Sequence, residues 1–112
     1  MTPEGKVKRK VSHLLSQHLG LFSVMPVPNG MGQPNLDYNG CYYGLFFAIE
    51  TKTPGKLPTP QQEATIRRIR AAGGKVFLID GDPAGLGDTT ELEEWLNKVS
   101  RLGPILASHL GP

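Results

Sequence analysis

The amino-acid sequence predicts one α/β domain, with a mixed β-sheet flanked by helices in the order α-β-β-β-α-β-α. Three observations predict this class. Two segments begin with a Thr-Pro pair and continue with apolar side chains at helical spacing. A Gly-Gly pair leads into a continuous apolar run that is typical of a buried strand. The length of 112 residues suffices for one domain and is too short for two ordinary ones.

The first helix is predicted to begin at Pro3. Thr2 is a favourable N-cap, and proline fits the first helical position because its missing N–H would have no partner there. Glu4 lies on the apolar side of the first turn, which is an unusual place for an acid. Gly20 is a suitable end for this helix. Its apolar stripe consists of Val7, Val11, Leu14, Leu15 and Leu19.

Three strands are predicted next. Leu21–Val27 is a short β-prone run, and a loop rich in Gly, Pro and Asn follows at 28–35. Leu36–Tyr42 and Leu45–Lys52 are the following two strands, and we expect them to form a hairpin.

The sequence allows two turn positions for this hairpin. A turn at Tyr43-Gly44 gives two full strands and places Asp37 directly opposite Glu50, with the Cβ atoms about 5 Å apart. Asn39-Gly40 is the stronger hairpin dipeptide by residue type, but a turn there would pair Asp37 with Tyr42. We prefer the first turn because both of its strands have a useful length.

The second helix has the clearest start signal in the chain. Thr59–Gln62 forms a capping box with Pro60 at the first helical position, and the Gly73-Gly74 pair ends the helix. Lys75–Asp80 is then a continuous apolar strand, which predicts a central position in the sheet.

The last part of the chain is predicted to be an acidic helix and tail, residues 88–112. The helix begins near Thr89 or Thr90, and the tail after Gly103-Pro104 is apolar but broken by these two residues. The side chains predicted to face inward are Leu92, Trp95, Leu96 and Val99.

Composition excludes several classes of protein. Cys41 is the single cysteine, which excludes a disulfide framework and a cysteine-based zinc site. No apolar run approaches the roughly 18–20 residues that a transmembrane helix needs. The first residues lack the charge and apolar pattern of a signal peptide, so we expect a cytoplasmic location.

The net charge of +2 conceals an uneven distribution. Residues 1–75 contain ten Lys or Arg and four Asp or Glu, a balance of +6, whereas residues 76–112 contain two and six, a balance of −4. A basic segment of this size indicates a polyanionic partner for the first two thirds of the chain.

Two charged residues end an otherwise apolar predicted strand. Strand alternation places Glu50 and Lys52 on one face and Thr51 on the other. Such charges are costly to hold at the end of a buried strand unless they have partners. Because two facing carboxylates repel each other unless a cation lies between them, Asp37 and Glu50 together suggest Mg²⁺, which prefers oxygen ligands.

These residues stand in a recognisable order. Asp37 and Glu50-Thr51-Lys52, followed by Gly55-Lys56 and Pro58-Thr59-Pro60-Gln61, resemble the PD-(D/E)xK nuclease superfamily, and within it the VRR-NUC (virus-type replication-repair nuclease) family. The likeness extends through 40–50 and 71–76, and it covers about residues 3–80. It implies a single nuclease domain over 1–112 with a restriction-endonuclease-like core.

The resemblance implies a role for each matching residue. Lys52 matches the lysine that orients and activates the attacking water, and Gln61 matches a glutamine that often follows the Glu-x-Lys strand. Mg²⁺ is the implied cofactor, with Mn²⁺ as an alternative. The implied metal ligands are Asp37, Glu50, the backbone carbonyl of Thr51, and Glu4 from the first helix.

The sequence departs from the family pattern at one point. The family has proline directly before the metal-binding aspartate, whereas this chain reads Pro34-Asn35-Leu36-Asp37. Aligning Pro34-Asn35 with that pair would replace a carboxylate by an amide and predict a weakened or inactive enzyme. Aligning Asp37 keeps the following Gly40-Cys41-Tyr42 in step, and we prefer it.

The resemblance therefore implies a metal-dependent DNA endonuclease, phage-associated and selective for branched DNA like a Holliday-junction resolvase. Its location would then be the host cytoplasm. Two symmetric cuts require two copies of a domain with one site, which predicts a homodimer. The alternative is a non-catalytic nucleic-acid-binding module on a degenerate nuclease fold. We expect the acidic end of the chain to face away from DNA or to serve the dimer contact. The candidate phosphate-binding residues are Lys6, Arg9, Lys10, Lys56, Arg67 and Arg68.

Overall fold

The computed structural model describes residues 2–27, 35–53, 55–80 and 87–110. Within these ranges the elements follow the predicted order α-β-β-β-α-β-α. They are α1 (Pro3–Ser16), β1 (Phe22–Val24), β2 (Tyr38–Tyr42), β3 (Leu45–Lys52), α2 (Pro60–Ala71), β4 (Lys75–Asp80) and α3 (Thr90–Leu110).

The described strands form one mixed sheet in the order β1-β2-β3-β4, with β1, β2 and β3 antiparallel and β4 parallel to β3. Tyr42 pairs with Leu45, so the hairpin turns at Tyr43-Gly44 as preferred from the sequence. Both turn residues have positive φ, 50° and 82°, which is the backbone of a two-residue turn that matches strand twist. The alternative turn is wrong because Asn39 and Gly40 lie inside β2.

Strand β4 is not central as predicted: within the described sheet it is the last strand. Its apolar sequence has another cause, since helices pack on both of its faces, although Leu78 stays 45% exposed on the α2 face. Phe77 and Ile79 pack with buried residues of α1 and α3, whereas Val76 packs with Ile66 of α2. A run of apolar residues therefore indicates that helices pack on both faces of a strand, and it does not indicate where that strand lies in the sheet.

The sheet thus separates two apolar layers. The larger layer lies between the sheet and helices α1 and α3, and it includes the fully buried Val7, Val11, Phe47 and Leu96. The smaller layer lies between the sheet and α2, and it includes Ala48 and Ile66. Because β3 is covered on both faces, a polar residue at its end is positioned by two independent layers.

Helix α1 ends earlier than predicted. The N–H groups of Gln17 and His18 donate to the carbonyl oxygens of Leu14 and Leu15, three residues back, and these bonds tighten and end the helix after Ser16. Leu19 is consequently 96% exposed and does not join the core, contrary to the prediction from its spacing.

Helix α3 is longer than predicted, because the apolar tail continues as helix through Gly103 and Pro104. Gly103 is buried, and a Cβ atom there would lie 2.4 Å from the ring of Tyr43. Glycine therefore permits the helix to pack against the hairpin turn. The described part of the chain has no helix long and apolar enough to cross a membrane.

Candidate active site

Four of the polar residues singled out in the sequence meet where β3 ends: Asp37, Glu50, Thr51 and Lys52. Helix α1 is held at this end by Tyr38 of β2, whose hydroxyl donates to the carbonyl oxygen of Lys8 at 2.9 Å and lies 2.8 Å from Ser12 Oγ. The capping box places the first turn of α2 on the other side, because Thr59 accepts from Gln62 N–H and donates to its side chain. Two helices thus flank the last residues of β3.

Glu50 is the buried acid of this site, with 2% of its surface exposed. Its Oε1 accepts from the backbone N–H of Asp37 at 3.2 Å. Its Oε2 accepts from Gln62 Nε2 and lies 3.4 Å from Lys52 Nζ. Burial, followed by the negative charge of Asp37, raises the pKa of Glu50 to about 7, and Lys52 only partly opposes this shift.

Asp37 lies just before β2 and reaches across the end of β3. Its Oδ2 accepts from both the backbone N–H and the hydroxyl of Thr51, each at 2.8 Å. Burial opposes ionisation of Asp37, but these two hydrogen bonds and the charge of Lys8 lower its pKa below the usual value. Because the N–H and C=O of one strand residue point to the same side, the Thr51 carbonyl is directed toward Asp37 as well.

Glu4 does not join this pair of carboxylates. Lys8 stands between them, with its Nζ 3.5 Å from Glu4 Oε1 and 3.7 Å from Asp37 Oδ1. Lys8 thus separates Glu4 from the two carboxylates, and a role of Glu4 as a metal ligand stays a prediction. The cause of this separation is helical spacing, since residues four apart on a helix are neighbours and opposite charges there attract.

Lys8 is therefore a site residue that the sequence reasoning missed. Burial lowers the pKa of Lys8, but the negative charges of Asp37 and Glu4 together raise it by more. The net shift is upward, so the ammonium is the stable form. The available signal was its position one turn after Glu4 on the same helix.

The glutamine that contacts Glu50 is Gln62 and not Gln61. Gln61 is exposed, whereas Gln62 completes the capping box and donates to Glu50 Oε2. The available signal was the capping box itself, since the third helical residue turns back toward the start of the helix.

The alternative alignment on Pro34 is tested only in part, because Pro34 lies outside the described residues. Asn35, which that alignment would place at the metal-binding position, accepts from Asn39 Nδ2 at 3.2 Å. Asp37 instead contacts Glu50 and Thr51. The geometry agrees with the alignment on Asp37.

The donor set fits a hard divalent cation. Among the described residues no group of three or more His, Cys, Asp and Glu is close enough to hold a metal ion. Mg²⁺ does not need one, because it is commonly held by one or two carboxylates and keeps several waters or phosphate oxygens. Asp37, Glu50 and the Thr51 carbonyl supply such a set, and Lys52, which is 17% exposed, lies beside it.

The candidate phosphate-binding residues lie on both flanking helices and on the segment between β3 and α2. Lys10 is partly engaged, since its Nζ donates to the carbonyl oxygen of Gly87 at 3.4 Å. The other five side chains are exposed: Lys6, Arg9, Lys56, Arg67 and Arg68.

The fold is shared with solved structures of other proteins. A structure described as a VRR_NUC domain superposes with a TM-score of 0.60 at 20% identity, over 90% of this chain and 97% of that chain. Hjc of Archaeoglobus fulgidus, a Holliday junction resolvase, superposes with a TM-score of 0.52 at 18% identity, over 70% of this chain and 69% of that chain. No protein-family model and no curated protein sequence matches the chain. The restriction-endonuclease-like architecture predicted from the sequence is confirmed.

Proposed function

We propose that the protein is a metal-dependent endodeoxyribonuclease that hydrolyses phosphodiester bonds. The observation that carries the proposal is the meeting of Asp37, Glu50 and Lys52 at the end of β3, inside a fold shared with a VRR_NUC domain and a junction resolvase. Two oxygen donors and an adjacent ammonium are the groups that phosphodiester hydrolysis needs.

Asp37, Glu50 and the Thr51 carbonyl would hold Mg²⁺ or Mn²⁺, which supplies Lewis-acid stabilisation of the phosphoryl oxygens and a more acidic water. Two features of the chain favour a cation there. Glu50 is buried beside a second carboxylate, and both raise its pKa, so that a further positive charge would help to ionise it. Asp37 is held ionised and oriented by Thr51.

Lys52 is the catalytic lysine of this proposal. It is on the same strand face as Glu50 and 3.4 Å from Glu50 Oε2, so its ammonium is fixed beside the carboxylate. From there it donates to the attacking water and to the phosphate, and it offsets the negative charge that grows as the bond to phosphorus forms. Gln62 keeps Glu50 in place through its amide and is a positioning residue.

We infer that the substrate is branched DNA and that the active form is a homodimer. Hjc, which shares this fold, is described as a Holliday junction resolvase. The exposed lysines and arginines of α1 and α2 suit phosphate backbones. One described site per chain requires two copies for paired cuts, and α3 exposes Leu102, Ile105 and Leu106 as an apolar surface for such a contact. Phage origin and location in the host cytoplasm stay predictions.

The test is incubation of the purified protein with a four-way junction and with a linear duplex, each with Mg²⁺ or with a chelator. We expect Mg²⁺-dependent cutting, faster on the junction, and a loss of about 10²- to 10³-fold for Lys52→Ala because one charge-stabilising donor is removed. Lys98→Ala, an exposed lysine on α3, is the matched control and should cut normally.

Absence of metal-dependent cutting on both substrates, with DNA binding retained, would contradict the proposal. That result would favour the alternative, a non-catalytic nucleic-acid-binding module in which Lys8 and Lys52 neutralise the two acids permanently. Cutting that persists undiminished in Lys52→Ala would show that another site does the chemistry. Symmetric junction cleavage by a monomer would contradict the homodimer.

A further inference from the structure

A cavity lies on the sheet face that carries Glu50, away from the carboxylates. It has a volume of about 430 Å³ and opens between α2 and the β2-β3 hairpin. Phe46 of β3 lines it, and Phe46 and Glu50 are four residues apart on one strand face, which is about 13 Å. Its volume falls in the range of sites that hold one small molecule or one part of a larger ligand.

The floor of this cavity is an aromatic ring. Phe46 is 43% exposed although it lies on β3, the strand covered on both faces. Gly74 keeps the ring accessible: a Cβ atom there would come within 3.0 Å of Phe46 Cδ1 and 2.6 Å of Ile69 Cγ2. A larger residue at position 74 would thus push into the space beside the ring.

The rim of the cavity is polar and basic. Two amides from the start of the hairpin, Asn35 and Asn39, line one side and are joined by a hydrogen bond of 3.2 Å. Thr65 and Arg68 of α2 line the other side. None of the described residues that line it is acidic, and Arg67 and Arg70 are exposed on the same helix. The cavity therefore combines a flat apolar surface, amide hydrogen-bonding groups and positive charge.

We propose that this cavity binds one unpaired nucleobase of the DNA substrate, stacked on Phe46, with its edge toward the asparagine amides and a neighbouring phosphate on Arg68. Aromatic stacking, amide hydrogen bonds and guanidinium–phosphate contacts are the means by which proteins hold unstacked bases. A base inside a duplex cannot enter, so the cavity selects DNA with unpaired nucleotides a short distance from the cleavage site. The inference rests on the proposed function, because the unpaired base would belong to DNA that is cut at the site of Asp37 and Glu50.

The test measures binding in the presence of a chelator, so that it does not depend on cleavage. The probes are a duplex with one unpaired 2-aminopurine and the matched duplex in which that base is paired. We expect the protein to bind the first more tightly and to change its fluorescence. Phe46→Leu keeps an apolar side chain but removes the stacking surface, so it should lower the affinity for the unpaired probe by at least about fivefold.

A second variant and a control separate this effect from folding and from general charge. Arg68→Ala should weaken binding of the unpaired probe more than Arg70→Ala, which removes the same charge from the same helix outside the cavity. Equal losses for these two variants, or equal losses on paired and unpaired probes for Phe46→Leu, would overturn the proposal. Displacement of the probe by free dAMP at equal concentration would identify a free nucleotide as the ligand and overturn it too. Failure of metal-dependent cleavage alone would leave the preference for an unpaired base intact.

Discussion

The two carboxylates at the end of β3 have pKa shifts in opposite directions. On the α1 side, Asp37 receives two hydrogen bonds from Thr51 and faces Lys8, and its pKa is lowered. On the α2 side, Glu50 is buried against the first turn of the helix, and its pKa is raised to about 7. At neutral pH and without a metal, Asp37 is therefore ionised whereas Glu50 is only about half ionised, and a nearby cation would favour its ionised form.

The difference shows that the two flanking helices contribute different groups to the site. Helix α1 brings charge, through Lys8 and the Glu4 that holds it. Helix α2 brings position, through a neutral amide that comes from its own cap. Substitutions on the two sides should consequently change different properties, and the following predictions test that separation in order of expected effect.

The largest expected effect is on the pH dependence of stability. Glu50 has a pKa near 4.5 when unfolded and about 7 when folded, so the folded state binds the extra proton between these values. Its favourable contribution is fully present below about pH 4.5 and is lost as the pH rises through about 7, a change of about 3 kcal/mol. In metal-free urea titrations, wild type should therefore lose stability over this window.

Glu50→Gln should remove most of that slope, because its amide does not ionise. Glu94→Gln, an exposed acid on α3, is the matched control and should keep the slope of wild type. If the stability of Glu50→Gln changed with pH as in wild type, another group would be responsible for the titration. Glu50 would then be ionised in the folded protein at neutral pH.

The second prediction concerns the α1 side. Lys8→Ala should lower the rate of cleavage by about tenfold, since it removes a cation 3.7 Å from Asp37 Oδ1. Glu4→Gln should have a smaller effect, because Glu4 contacts Lys8 and not Asp37 among the described ion pairs. Single-turnover kinetics and the Mn²⁺ dissociation constant of each variant measure this. If Glu4→Gln weakened metal binding more than Lys8→Ala, Glu4 would be a ligand as the family resemblance implies.

The smallest expected effect distinguishes two adjacent glutamines. Gln62→Ala should lower the free energy of unfolding by about 1 kcal/mol, because the capping box and the hydrogen bond to Glu50 are both lost. Gln61→Ala, on the exposed side of the same turn, should change it by less than about 0.5 kcal/mol. Thermal unfolding of both variants measures the difference, and equal losses would contradict the assignment of Gln62 to the site.

Much of this site was already determined by the sequence, because it depends on short-range rules. The capping box predicted the start of α2 at Pro60, and it is confirmed. Strand alternation placed Glu50 and Lys52 on one face, and the choice of the Tyr43-Gly44 turn brought Asp37 opposite Glu50. Each inference used hydrogen bonds or side-chain directions that repeat over a few residues, and such patterns are visible in a sequence.

Only the tertiary structure decided which side chains approach these residues from elsewhere in the chain. Lys8 reaches Asp37 because α1 packs on the sheet. Strand β4 is the last strand of the described sheet, and helices pack on both of its faces. Helix α3 continues past Pro104, and its Gly103 packs against Tyr43, which is 60 residues away in sequence. Local periodicity carries no information about such contacts, because their energy comes from packing between elements that the chain brings together only when it folds.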